Sequence, residues 1–184
     1  MITHDQIAPF RYTSDNYQET QALKERLARL RTKRQPYFLD ADDFDEVAKW
    51  KLRGQYGRQQ RERESNPRPA YPVVPRAVFE LTLDDLDQEL EMRVGQLRAL
   101  RGVGVGVASA VLALAEPEKY CVVDFRGWRR AFDEEKRGFR VEDYKRYRRQ
   151  VAGLAKGLGW PIQEVDLAIW EFDRQHGPPE PQTA

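Results

Sequence analysis

The chain has 184 residues, 40% of them hydrophobic and 33% charged, with 31 basic side chains against 30 acidic ones. That length holds one domain with a true core, and the composition excludes a disordered chain. The single cysteine, Cys121, excludes an internal disulfide, a cysteine-ligated iron–sulfur cluster and a multi-cysteine zinc site, and no apolar run approaches the ~18 residues of a membrane span.

In chain order, residues 1–13 read as an irregular lead-in. They lack the basic start and apolar core of a leader, so a cytoplasmic location is the expectation. Ser14 or Asp15 caps a first long helix whose stripe is Tyr17, Leu23, Leu27 and Leu30. "QPYFL" breaks it, and Asp40 caps a second helix carrying Phe44, Val47, Trp50 and Lys51, which ends at Gly54 and Gly57. "RQQRERESNPRPAYPVVP" is polar and proline-rich and predicts a long loop, a length that in compact domains often marks function. Thr82 caps the next helix, interrupted near Gly95. A glycine hairpin, Gly102 to Gly106, leads into the apolar helix "GVASAVLALA". A helix starts at Asp124, a long one covers "RVEDYKRYRRQVAGLAKGLG", Trp160-Pro161 turns the chain, and "IQEVDLAIWEFDRQ" closes the fold. Few stretches alternate with period two. The expectation is an all-α unit over 1–176, followed by a disordered tail at 177–184.

Charge is unevenly spread. Residues 51–76 and 126–149 are rich in Lys and Arg, while acids gather in "DADDFDE" and "LDDLDQELE". Such bipolarity suits a polyanion on one side, and it equally describes ordinary solvated helix faces.

In "LRALRGVGVGVASAVL", glycine lets the backbone reach unusual angles and approach a ligand closely. The helix that follows leaves its first N–H groups unpaired at the positive end of its dipole, a setting that favours phosphate. A plain αα-corner accounts for the same glycines. The aspartate of "CVVD" likewise reads as a helix cap or as a catalytic acid, and the two roles are compatible.

The stretch from Leu97 to about Phe132 resembles the helix-hairpin-helix superfamily of base-excision DNA glycosylases, the endonuclease III-like group. Leu97, Leu100, Gly102, Val103, Gly104, Ala108 and Leu112 stand at the fixed places of its hairpin, and Val123-Asp124 follows at the matching spacing. The resemblance implies two small helical lobes with a cleft between them, a helix-hairpin-helix at about 93–115, and double-stranded DNA gripped by Gly102, Val103, Gly104, Val105, Gly106 and Val107. It implies Asp124 as the acid that stabilises positive charge on the sugar, and a monovalent cation held by hairpin carbonyls with no side-chain metal ligands. Members that also cut the strand carry a lysine where Gly106 stands here, so a monofunctional enzyme acting as a monomer is expected. Leu52 and Gln55 echo a motif whose glutamine lies near the extruded base. "DFRGW" departs from the family's usual continuation after the aspartate.

Base-pocket candidates are Trp50, Lys51, Tyr37, Tyr56 and Trp128, since an extruded base needs aromatic or apolar walls. Each aromatic is equally a core residue. Arg58, Arg126 and the other arginines of residues 58–76 are phosphate-contact candidates. Tyr144, Tyr147 and Trp170 are assigned to packing of the last helices. The base is not readable. Damage repair, removal of modified bases from phage DNA, and a non-catalytic DNA-binding module all remain open.

Overall fold

In the computed structural model, residues 2–178 are described, and among them the regular structure is helical throughout. All but the first two residues of the expected tail, 177–184, lie outside the described residues. The order is α1 (His4–Ile7), α2 (Tyr17–Lys33), α3 (Ala41–Leu52), a 3-10 turn (Arg53–Gln59), α4 (Gln60–Glu64), α5 (Ala70–Glu80), α6 (Leu86–Leu97), α7 (Val105–Ala115), α8 (Phe125–Phe132), α9 (Val141–Leu158) and α10 (Ile162–His176).

Local chemistry sets most of the boundaries. Asp40 caps α3 by accepting from the amides of Asp42 and Asp43, each at 3.0 Å. For α6 the cap is Asp85 rather than Thr82, with the Asp87 amide at 2.8 Å, and the helix runs unbroken through Gly95. The first long helix begins after Asn16 rather than at Ser14 or Asp15. Gly159, with φ +66°, ends α9 in the left-handed conformation that glycine adopts without strain.

The expected loop over residues 58–76 is a correction. The chain there is the end of the 3-10 turn, α4, an irregular turn at 65–69 and the first part of α5. Proline content misleads because Pro72 sits in the first turn of α5, where a missing N–H costs little. Pro75 does remove one helical bond. Against that, Tyr71, Pro75 and Val78 lie at helical spacing and form a buried face against α6.

Helix α7 is the hub. Val105 and Val107 through Leu114 are buried on all sides, as expected of a helix that is apolar all round. α2, α3, α6 and α9 pack on it, while α10 rests on α8 and α9 with α1 against its flank. The site lies where the α3 end, the α7–α8 connection and α10 converge.

Candidate functional site

In an all-helical protein the segment Cys121–Asp124 is irregular and lies outside any helix, so its buried backbone groups need other partners. Side chains from four helices supply them. The Val122 amide donates to Asp166 at 2.9 Å, and the Val123 amide donates to Ser109 Oγ at 3.1 Å, which in turn donates to the Gly106 carbonyl at 2.8 Å. The Tyr144 hydroxyl donates to the Cys121 carbonyl at 2.8 Å, and the Lys51 ammonium to the Val123 carbonyl at 3.3 Å.

Asp124 ends this segment and caps α8, accepting from the Gly127 amide at 2.9 Å. Its other oxygen lies 3.6 Å from Lys51 Nζ. Lys51 reaches it from the last turn of α3 across the face of Gly106. A Cβ on Gly106 would meet Lys51 Cε at 3.7 Å, an ordinary van der Waals contact, so the lysine stem runs beside the hairpin and leaves room for a small side chain there.

Asp124 and Lys51 open into a cavity of about 80 Å³ lined also by Asn16, Trp50, Arg53, Val122, Gln163, Asp166, Leu167 and Trp170. That volume is below the roughly 300–1,000 Å³ of small-molecule sites, and the cavity continues into solvent at its mouth. The Trp50 indole is fixed by a bond from its N–H to Thr20 Oγ1 at 3.1 Å. Arg53, at the rim, holds φ at +44°, a strained value for a non-glycine residue of the kind that gathers at functional sites. Burial pushes the Asp166 carboxyl up to about 7, and the charge of Asp124 adds to this; the Tyr147 hydroxyl, the Val122 amide and Lys51 pull the other way. Two carboxyls thus face one cavity, and burial holds Asp166 far above the ordinary carboxylate range. Burial also pushes the Cys121 thiol well up, so it presents no reactive thiolate.

The hairpin turn is braced from below. The Asn66 side chain accepts from the Arg101 amide at 2.9 Å and donates to the Arg101 carbonyl at 3.0 Å. Gly102 has φ +71°, and a Cβ there would stand 3.0 Å from the Gln59 carbonyl and 3.1 Å from the Arg63 amide. Gly104, the α7 cap, has open space around it. Gly102→Ala is therefore expected to cost about 1–3 kcal/mol in chemical denaturation, and Gly104→Ala, which meets no clash and loses only a favoured cap residue, to cost less than about 1 kcal/mol. Equal midpoints for the two variants would remove the hairpin strain from consideration.

The other candidates divide by burial. Tyr37 is a correction: it is buried between α2 and α5, with the Phe79 ring at 4.7 Å and the Arg31 guanidinium over its face. Trp128 is another, fully buried beside Phe132 at 4.3 Å and Phe139 at 5.7 Å. Arg126 is 9% exposed, lies over the Trp170 ring and pairs with buried Asp173 at 3.3 Å, so it braces α8 on α10 rather than facing a phosphate. Arg63 is also buried, its guanidinium donating to the Tyr56 carbonyl. Tyr56 lies in a separate groove with Asp42, Asp45 and Arg68, and its hydroxyl donates to Asp45. Gln55 and Arg58 are exposed on the 3-10 turn outside the cavity. Of the five pocket candidates the cavity takes Trp50 and Lys51.

Sequence reasoning missed Gln163, Asp166 and Leu167, and it assigned Trp170 to packing although that residue also lines the cavity. These four stand at i, i+3, i+4 and i+7 of α10, on one face. The available signal was a glutamine and an aspartate on the same stripe as Leu167 in "IQEVDLAIW".

Among the described residues no group of three or more His, Cys, Asp and Glu side chains is placed to hold a metal ion, and no helix is long and apolar enough to cross a membrane. Comparisons with protein-family models, curated proteins and solved structures give no match for this chain.

Proposed function

We propose that the chain is a DNA glycosylase of the helix-hairpin-helix type, which takes a damaged or modified base out of a duplex and hydrolyses its N-glycosidic bond to leave an abasic site. The observation that carries this reading is the placement of Asp124. Its carboxylate caps α8, pairs with Lys51 and borders a cavity lined by two indoles, at the end of a segment tied to the hairpin helix through Ser109. In this reading α2–α7 form one lobe, α8–α10 with α1 form the other, and the DNA crosses the cavity mouth between them. The amides of Val105, Gly106 and Val107 hold a backbone phosphate, with Gln55 and Arg58 flanking the strand.

As the glycosidic bond breaks, its electron pair leaves with the base and positive charge develops on the sugar. A fixed carboxylate stabilises that charge and accepts a proton from the water that adds to the sugar carbon. Gly106 supplies no side chain, and the Lys51 ammonium is occupied by Asp124 and the Val123 carbonyl, so the strand is expected to stay intact until alkali is added. The monovalent cation implied for the hairpin would find only neutral carbonyl donors, of which Arg101 O already accepts from Asn66; its contribution would be to hold phosphate.

The test is alkaline cleavage of duplexes carrying alkylated, oxidised, deaminated and phage-type glucosylated bases after incubation with the protein. Release by the wild type is expected to fall about 100- to 1,000-fold in Asp124→Asn, with stability kept because asparagine is an equally good cap. Duplex binding without release from any substrate would replace the enzyme by a binding module.

A further inference from the structure

Buried polar atoms without partners are few in folded proteins, and each calls for an explanation. One of them here lies in the cavity wall. Gln163 is 1% exposed, lines the cavity, and its Oε1 has no hydrogen-bond partner. Leaving such an atom unpaired costs about 1–3 kcal/mol, and a leucine at this place would avoid the cost. On the same face of α10, Asp166 stands one turn on and the half-buried Trp170 indole two turns on, with Trp50 also in the wall. The Asp166 oxygens are already engaged by the Val122 amide and the Tyr147 hydroxyl, whereas no protein group engages Gln163 Oε1.

We propose that Gln163 is the specificity-determining residue of this cavity, its side-chain amide hydrogen-bonding the polar edge of the extruded base. This rests on the glycosylase reading and goes beyond it by naming how the ligand is recognised. A primary amide offers an acceptor beside a donor. Its complement is a nucleobase that keeps a donor beside an acceptor on one edge, the pairing by which glutamine reads adenine in duplex DNA. The aromatic walls accept any base face and discriminate little, so the choice among bases falls to the amide.

The experiment compares wild type, Gln163→Leu and Gln163→Glu in two measurements. The first is kcat/KM on a panel of duplexes whose target bases differ in pairs, the same ring with an amino or a keto group on that edge. The second is the melting temperature of each protein without DNA. Gln163→Leu is expected to lower kcat/KM on the best base by roughly 10- to 100-fold, the loss that follows from one or two hydrogen bonds. It should also flatten the ranking between amino and keto partners while leaving the melting temperature unchanged or higher. Gln163→Glu, which keeps the acceptor and loses the donor, should reorder the pairs. Release that persists with the wild-type ranking in both variants would overturn the role of Gln163 and leave the glycosylase reading standing. A lowered melting temperature in Gln163→Leu with no change of ranking would make the residue structural. No release by the wild type from any duplex would overturn the glycosylase reading, and this role with it.

Discussion

Asp166→Asn is expected to make the protein more stable than wild type at pH 8 and equal to it near pH 4. The sign follows from the Asp166 carboxyl, which burial and the neighbouring charge of Asp124 hold up at about 7 in the fold. In the unfolded chain the same group titrates near about 3.9. Between these values the folded protein keeps a proton that the unfolded chain has lost. Wild-type stability therefore falls as pH rises through this window, by about 1.4 kcal/mol per unit, and the loss is complete above pH ~7. The full difference is on the order of a few kcal/mol. Asparagine has no proton to lose, still accepts from the Val122 amide through Oδ1, and turns its amide towards the Tyr147 hydroxyl, which accepts in place of donating. Lys51 and Asp124, the charged groups that face Asp166 across the cavity, are the same in both proteins and largely cancel in the comparison. Urea unfolding of the two proteins at pH 4.5, 6 and 8 checks this, and a gap between the curves that does not widen with pH would refute it.

The second large effect is expected at Gly127. Replacing a helical glycine by alanine ordinarily stabilises by up to about 1 kcal/mol. Here the sign reverses. A Cβ at this position would stand 2.1 Å from the Tyr147 hydroxyl oxygen and 2.8 Å from the ring carbon that bears it. Tyr147 is fully buried and hydrogen-bonded to Asp166, so it has nowhere to retreat. Overpacking of this kind costs about 1–3 kcal/mol. It also displaces the amide that holds Asp124, so under the proposed glycosylase reading base release should fall with stability. Gly127→Ala combined with Tyr147→Phe removes the nearest atom and should recover part of the loss, giving a coupling energy of about 0.5–3 kcal/mol in a double-mutant cycle. Additive losses would show that the two positions act separately.

Half of this cavity is legible in local sequence. The hairpin glycines, the cap at Asp124 and the apolar α7 are written within neighbouring residues, and the helical spacing of α3 brings Trp50 and Lys51 to its end. The α10 half is not. Gln163, Asp166 and Trp170 join Asp124 only because α10 packs back across α8 and α9. Residue type alone also fails to give direction. Tyr37 and Trp128 are aromatic for the core, and Arg126 is basic because Asp173 is buried beneath it. The arginine-rich stretch after α3 hides a brace, since Arg63 and Asn66 turn inward to support the hairpin.

The irregular segment before Asp124 also limits tolerance to substitution. In a sheet, the groups that satisfy a strand belong to the partner's main chain, which every residue but proline carries, and side chains there are free to vary. Here the partners of the Val122 and Val123 amides are side chains, Asp166 and Ser109. Positions 166 and 109 must each keep a hydrogen-bond acceptor of the right reach or strand a buried amide. Two residues far apart in the chain thus carry a constraint that would normally be spread over the backbone, and the setting of the acid is as heritable as those two side chains.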